Sequence, residues 1–367
     1  MGESNVVPIG TRGRPGRGVG NPKPSATARS LAGHRQTRGG GVAGAHREQE
    51  AAEYSPTAPT AVPYRRPPAT GIPASEWLEA LTSAAKEVLG DQWEPRLAEM
   101  LAFLRRRITG DYEVDQYGFD SELAERLVIA VLRPLKEKWF RVEVRGVENI
   151  PADGGALVVS NHSGTLPMDS LMTMASVHDH AGRFLRLLGA DLVFRLPLVS
   201  ELARAAGATL ACNDDAERML RGGELVGVWP EGFKGIGKPF SERYKLQRFG
   251  RGGFVAAAIR AGVPIVPVSL VGAEEIYPLV GNVPSLARLL GVPYVPVTPF
   301  FPWLGPLGLV PLPSKWLIEF GEPIRTDEYE PGAADDPMLV FNVTDQVRES
   351  IQQTLYALLM QRRSVFS

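Results

Sequence analysis

From residue 74 onward the apolar positions repeat at helical spacing. Trp77, Leu78, Leu81, Ala85 and Val88 recur behind Ser75, a side chain able to cap, and stop at Gly90, which predicts a first helix. Leu97, Leu101, Leu104 and Ile108 predict a second over roughly 94–108. Arg105, Arg106 and Arg107 close it, where the helix dipole favours cations. Leu123, Leu127, Val131 and Leu135 predict a third over roughly 120–138. Residues 74–139 thus read as an N-terminal helical region whose apolar faces meet a core or, for one helix, a bilayer.

From about residue 140 the period changes. Phe140 to Val144 alternates as a half-buried strand does, and Ala156 to Ser160 is a short apolar run suited to a buried strand. Strand-like runs return at 208–211, 225–229, 265–270 and 317–320. Helical stretches lie between them near 169–178, 197–206, 215–222 and 253–262, and a last helix runs over about 338–361 behind Asp336 and Pro337. Strands alternating with helices predict an α/β fold, a central and mostly parallel sheet flanked by helices. The main domain is expected over 140–330, with a C-terminal helix in 331–367. No internal repeat is visible.

Composition changes the picture at the amino end. Residues 1–73 hold twelve Gly and ten Pro, and ten Lys/Arg against four Asp/Glu, although the whole chain has a formal charge of -1. Such a segment buries too little to offset its backbone entropy, so a disordered basic tail on an acidic body is expected, able to meet phosphate-rich surfaces. No base-stacking aromatic pattern accompanies it, so no specific nucleic acid is expected. The single cysteine, Cys212, excludes an internal disulfide and suits a reducing compartment. His178-Asp179-His180 reads as a charged turn rather than a metal site. No apolar core follows the early arginines, as a signal peptide requires. The uncharged run from Gly291 to Ser314 is long enough to span a bilayer but contains seven prolines, which a spanning helix would not accommodate. The expected location is cytoplasmic, peripheral on a membrane.

Two constellations carry chemistry. In Ser160-Asn-His-Ser-Gly-Thr-Leu-Pro-Met-Asp169 a histidine leaves a buried strand and a carboxylate follows at a helix start. Acyl transfer to an alcohol needs a base near neutrality, and a carboxylate on the second ring nitrogen fixes the imidazole tautomer. The other reading is a core histidine beside a capping Asp. In Val228-Trp-Pro-Glu-Gly-Phe-Lys-Gly235, Glu231 should sit on a loop at a strand's carboxyl end, where α/β proteins place ligands. From Lys234 to Arg251 six basic residues and one acidic residue form either a phosphate clamp or a solvated loop. A third segment, Ala261-Gly-Val-Pro-Ile-Val-Pro-Val268, reads as an apolar wall.

Together and in this order the three segments resemble the glycerol-phosphate and lysophosphatidate acyltransferase superfamily. Its signatures are Asn-His-x4-Asp, a Pro-Glu-Gly block and a Val-Pro-Ile-Val-Pro strand, and the likeness covers about residues 140–325. The resemblance implies His162 as general base and Asp169 as its orienter. It implies Glu231 and Gly232 at the acceptor site, and Lys234, Arg248 and Arg251 among the substrate contacts. The donor it implies is acyl-CoA or acyl carrier protein, with no cofactor or metal. Three departures bear on the acceptor. Six residues instead of four separate His162 from Asp169, putting Pro167 where the family has its carboxylate, as in a subgroup resembling di- and monoacylglycerol acyltransferases. Phe233 and Lys234 replace a usual Thr-Arg, losing the forked guanidinium. Residues 207–213 lack the family's arginine. A phosphate-free acceptor accommodates all three. The expectation is acyl transfer to a lysophosphatidate or mono- or diacylglycerol hydroxyl, within phospholipid or other lipid metabolism. A hydrolase lacks the Gly-x-Ser-x-Gly elbow it would need. A non-catalytic lipid-binding protein on the same fold would not require His162.

Overall fold

Five consecutive buried residues, Ala156–Ser160, form the strand about which the site is arranged. The computed structural model describes residues 62–64 and 94–366, except 197, 198, 291 and 293. In chain order its strands are β1 (Val62–Tyr64), β2 (Tyr112–Val114), β3 (Glu143–Arg145), β4 (Ala156–Ser160), β5 (Leu185–Gly189) and β6 (Thr209–Leu210). They continue with β7 (Leu225–Val228), β8 (Ile265–Val271), β9 (Gly281–Asn282), β10 (Pro296–Val297) and β11 (Leu317–Phe320). Among the described residues the main sheet has the order β3-β11-β8-β4-β7-β5-β6. All its pairings are parallel except β11 with β8. The expected mostly parallel sheet is therefore present. β5, carrying the charged Arg186 inside an otherwise apolar run, escaped the pattern.

The first described helix is α1 (Glu94–Thr109), close to the expected span. The run 121–139, α2, alternates α-helical turns (Ser121–Leu123, Ala130–Pro134) with π-helical ones (Ala124–Ile129, Leu135–Trp139). Each π turn admits an extra residue and rotates the next part of the helix about its axis. The face expected at Leu127 and Val131 is accordingly exposed, while Ala124, Ile129 and Leu132 enter the core. Pro134, which has no N–H to donate, sits where the ladder is already broken.

Further along lie α3 (Met168–Ala181), α4 (Asp191–Arg195), α5 (Val199–Ala205), α6 (Asn213–Arg221) and α7 (Phe233–Ile236). They are followed by α8 (Gly253–Ala261), α9 (Pro284–Leu290) and α10 (Pro337–Gln361). Two cores cover the sheet, one joining Ile129, Leu132, Met172 and Val177 to Val158 and Val266. The other joins Ile259, Val347 and Ile351 to Leu157 and Ile265. In α10 the buried positions Val340, Val343, Val347, Ile351, Leu355 and Leu358 repeat every three or four residues, and Asp336 caps the helix by accepting the Met338 N–H. The helix expected behind Ser75 lies outside the described residues. So does the expected tail over 1–73, except that β1 falls inside it and pairs antiparallel with β2.

Candidate active site

Three neighbouring parallel strands, β7, β4 and β8, end at one edge of the sheet, and each delivers a loop there. The register pairs Val159 with Val228, so the histidine loop and the Trp229–Glu231 turn leave from adjacent positions. Asn161 secures the start of the first loop: its Nδ2 donates to the Leu270 carbonyl at 3.0 Å, and the Leu270 N–H donates to its Oδ1 at 2.8 Å. A buried amide satisfied on both sides fixes the backbone one residue before His162.

His162 Nδ1 lies 2.6 Å from Asp169 Oδ2. Asp169 has no exposed surface, whereas the His162 side chain keeps 16% of its own. Asp169 also accepts the Ser163 N–H on Oδ2 and the Ser170 N–H on Oδ1, each at 2.8 Å. An ionised carboxylate only accepts, so the proton of this contact belongs to Nδ1, leaving Nε2 as the basic nitrogen. The long spacing is absorbed by a turn through Gly164, whose φ of 84° is open to glycine and strained for most other residues. Asp169 then sits in the first turn of α3, where the dipole favours negative charge.

Glu231 is also buried, and both its oxygens are taken. Oε1 accepts the His162 N–H at 2.9 Å and Oε2 accepts the Gln247 N–H at 2.6 Å. The structure therefore makes Glu231 a tie between loops, joining the backbone of His162 to that of Gln247. Gly232 closes the turn by donating its N–H to the Trp229 carbonyl at 3.0 Å. Gly235 packs so closely that a Cβ would meet the His162 carbonyl oxygen at 2.8 Å and His162 Cβ at 3.0 Å. The loop after β7 thus rests directly on the histidine.

The six basic residues of 234–251 divide. Lys238 is buried, 3.5 Å from Glu231 Oε2 and 3.1 Å from Glu274 Oε1, and so is unavailable to a phosphate. Arg243 stands over the Phe240 ring. Lys234, Lys245, Arg248 and Arg251 are exposed. Glu274, three residues beyond β8, did not stand out in the sequence. Burial is the main cause pushing its carboxyl up to about 7, against the opposing pull of the Lys238 ammonium. Trp229 lies 6.2 Å from His162 between ring centroids, and Leu166 and Phe233 are exposed on the two loops flanking the imidazole. No group of His, Cys, Asp or Glu among the described residues has a metal-binding arrangement. Asp179, between His178 and His180, instead pairs with Arg133 and Lys136.

A buried carboxylate–imidazole pair thus stands at the carboxyl edge of a parallel sheet, beside a Pro-Glu-Gly turn. The profile of the family described as Acyltransferase matches residues 141–271. An uncharacterised protein of Mycobacterium tuberculosis is 58% identical over 287 residues, 78% of this chain and 80% of that one. A human protein described as a DGAT1/2-independent enzyme synthesizing storage lipids is 32% identical over 190 residues, 52% of this chain and 55% of its own length. The crystal structure of the 1-acyl-sn-glycerophosphate acyltransferase PlsC from Thermotoga maritima aligns with a TM-score of 0.43 at 19% identity, covering 65% of this chain and 82% of that one. Residues 141–271 of the chain belong to the acyltransferase family.

Proposed function

We propose that this enzyme moves a fatty acyl group from a thioester, acyl-CoA or acyl carrier protein, to a glycerolipid hydroxyl, with His162 as general base. The observation that carries this is the 2.6 Å contact of His162 Nδ1 with a fully buried Asp169, which leaves Nε2 without a partner among the described residues. Nε2 takes the proton of the acceptor hydroxyl as its oxygen attacks the thioester carbonyl. The new C–O bond forms and the C–S bond breaks. The departing thiolate recovers the proton from the imidazolium, which Asp169 stabilises meanwhile.

A neutral acceptor, mono- or diacylglycerol, fits better than lysophosphatidate. Residues 207–213 hold no arginine, and the position after Phe233 carries Lys234 instead of a fork able to grip a phosphate on two oxygens. The storage-lipid description of the human relative points the same way. The exposed Lys234, Arg248 and Arg251 are then left for the phosphates of a CoA or carrier-protein donor.

The lipid enters from a membrane on which the enzyme rests peripherally. No described helix is long and apolar enough to cross one. Tyr294 donates its hydroxyl to the Thr165 carbonyl at 3.4 Å, tying the histidine loop to the segment that leads into Phe300–Val310. There Trp303 and Leu307 are each 73% exposed, with Phe300, Leu304 and Val310 beside them in sequence. Exposed aromatic and aliphatic side chains on a stretch that follows this tie to the histidine loop suit the headgroup level of a bilayer.

The deciding experiment gives purified enzyme acyl-CoA with monoacylglycerol, diacylglycerol or lysophosphatidate and follows ester formation. His162→Ala should lower turnover by about 10²–10⁴ fold with substrate binding retained. Near-normal turnover in that variant would end the general-base reading, and a preference for lysophosphatidate would end the neutral-acceptor one.

A further inference from the structure

The loops after β7 and β8 bring two carboxylates and one ammonium together under the histidine. Lys238 has 2% of its side chain exposed, Glu231 none and Glu274 6%, with Lys238 Nζ placed between the two acids at 3.5 and 3.1 Å. A backbone N–H already donates to each oxygen of Glu231, so the lysine adds to a carboxylate that is partnered without it. Burying an ammonium is costly, and apolar groups of equal volume commonly stabilise a fold as well or better. A charged cluster in this position is better explained by what it holds in place.

We propose that Lys238 and Glu274 are positioning residues for acyl transfer, their ion pair locking the Glu231 carboxylate that carries the His162 amide and so setting the place and basicity of the imidazole. The inference rests on the general-base reading of His162. Three strands contribute to one connected set: the Lys238 ammonium bridges Glu274, after β8, to Glu231, after β7, and Glu231 accepts from the backbone of His162, after β4. The other ionisable groups around it are Tyr244, whose buried phenol is raised well above its ordinary value, and the Glu275–Arg362 ion pair. Glu275 and Arg362 compensate each other at 2.6 Å, so the variable charge is the Glu274 carboxyl. With Glu274 protonated the three-membered cluster is neutral. Once the proton leaves, it bears one negative charge, and a negative charge nearby favours the imidazolium.

The two partners therefore push the histidine in opposite directions. Lys238→Met makes the cluster more negative and should move the acid limb of the kcat–pH profile upward. Glu274→Gln removes a negative charge and should move it downward. A role confined to folding predicts no such opposition.

The experiment measures kcat and KM from about pH 5 to 9 for the wild type, Lys238→Met, Glu274→Gln and His162→Ala, with circular dichroism confirming each fold. Lys238→Met should lose about tenfold in kcat, with KM changed by less than about threefold, and its acid limb should rise by about half a pH unit. The Glu274→Gln limb should fall by a similar amount. Acid limbs coinciding with the wild type in both variants, while His162→Ala is inactive, overturn the proposal and leave the general-base reading intact. An active His162→Ala removes both. If Lys238→Met does not fold, the direction of the Glu274→Gln limb decides.

Discussion

Asp169→Asn separates a positioning carboxylate from a merely structural one, because the amide cannot satisfy the site in either orientation. Asp169 Oδ2 serves His162 Nδ1 and the Ser163 N–H, while Oδ1 serves the Ser170 N–H. If the Asn carbonyl faces Ser170, its NH₂ meets the Ser163 N–H and donates to Nδ1. The ring proton then moves to Nε2, the nitrogen that must take the acceptor proton, and the base is lost. If the carbonyl faces His162, the tautomer survives but the NH₂ opposes the Ser170 N–H in a site with no water-accessible surface. A buried donor left without an acceptor costs about 1–3 kcal/mol. The first orientation should lower kcat by about 10²–10⁴ fold, the scale seen when an imidazole is held in the wrong tautomer. The second should lower the melting temperature with a smaller kinetic loss. Thiol release from acyl-CoA in the presence of diacylglycerol, measured beside a thermal melt, reads both. An Asn variant matching the wild type in turnover and in melting temperature would refute the reasoning.

Two further outcomes depend on single groups. Glu274 holds its proton in the fold up to about 7 against an ordinary 4.5. Its contribution to stability is therefore complete below 4.5, declines as pH rises toward 7 and is flat above; a difference of this size is worth about 3 kcal/mol. Urea unfolding of Glu274→Gln should lose that decline, and a slope equal to the wild type's would show the carboxyl to be ionised throughout. Trp303→Glu should weaken liposome binding by about tenfold, since it replaces a large amphipathic ring with a charge at a 73% exposed position. Unchanged sedimentation with vesicles would move the membrane contact elsewhere.

Strand period was the most legible feature. β4 and β11 coincide with their predicted runs because each is nearly continuous in apolar residues. β5 was missed since Arg186 interrupts it; the guanidinium is buried only because Asp115 and Glu224 pair with it, a tertiary fact. The apolar stripe on α2 was misplaced for a different reason. A period of 3.6 presumes an unbroken α-helix, and the first π turn, Ala124–Ile129, shifts the buried set to Ala124, Ile129 and Leu132. At the site, His162 and Asp169 were readable as a pair despite the departure in spacing, since a strand end and a helix start put both beside one loop. The roles of Lys238 and Glu274 were not readable. They lie 36 residues apart, and only the adjacency of β7, β4 and β8 brings them under the histidine. Counted along the chain, Lys238 was one more cation in a basic loop.

The geometry also separates chemistry from selectivity. Asp169 and Glu231 both end on backbone N–H groups of the His162–Ser163 segment, so their negative charge is spent holding one imidazole in place. Such preorganisation requires buried, fully partnered groups, and these tolerate little change. Under the proposed function the groups left to meet a substrate are exposed: Lys234, Arg248 and Arg251 on the basic loop, Leu166 and Phe233 on the loops after β4 and β7, and Phe300, Trp303, Leu304, Leu307 and Val310. Two of the three sequence departures, at Phe233–Lys234 and at 207–213, fall outside the hydrogen-bonded set. The third, the longer histidine loop, leaves the His162–Asp169 contact in place while adding residues beside the mouth of the site. Under the proposed function, a change in the acceptor wall need not disturb the base.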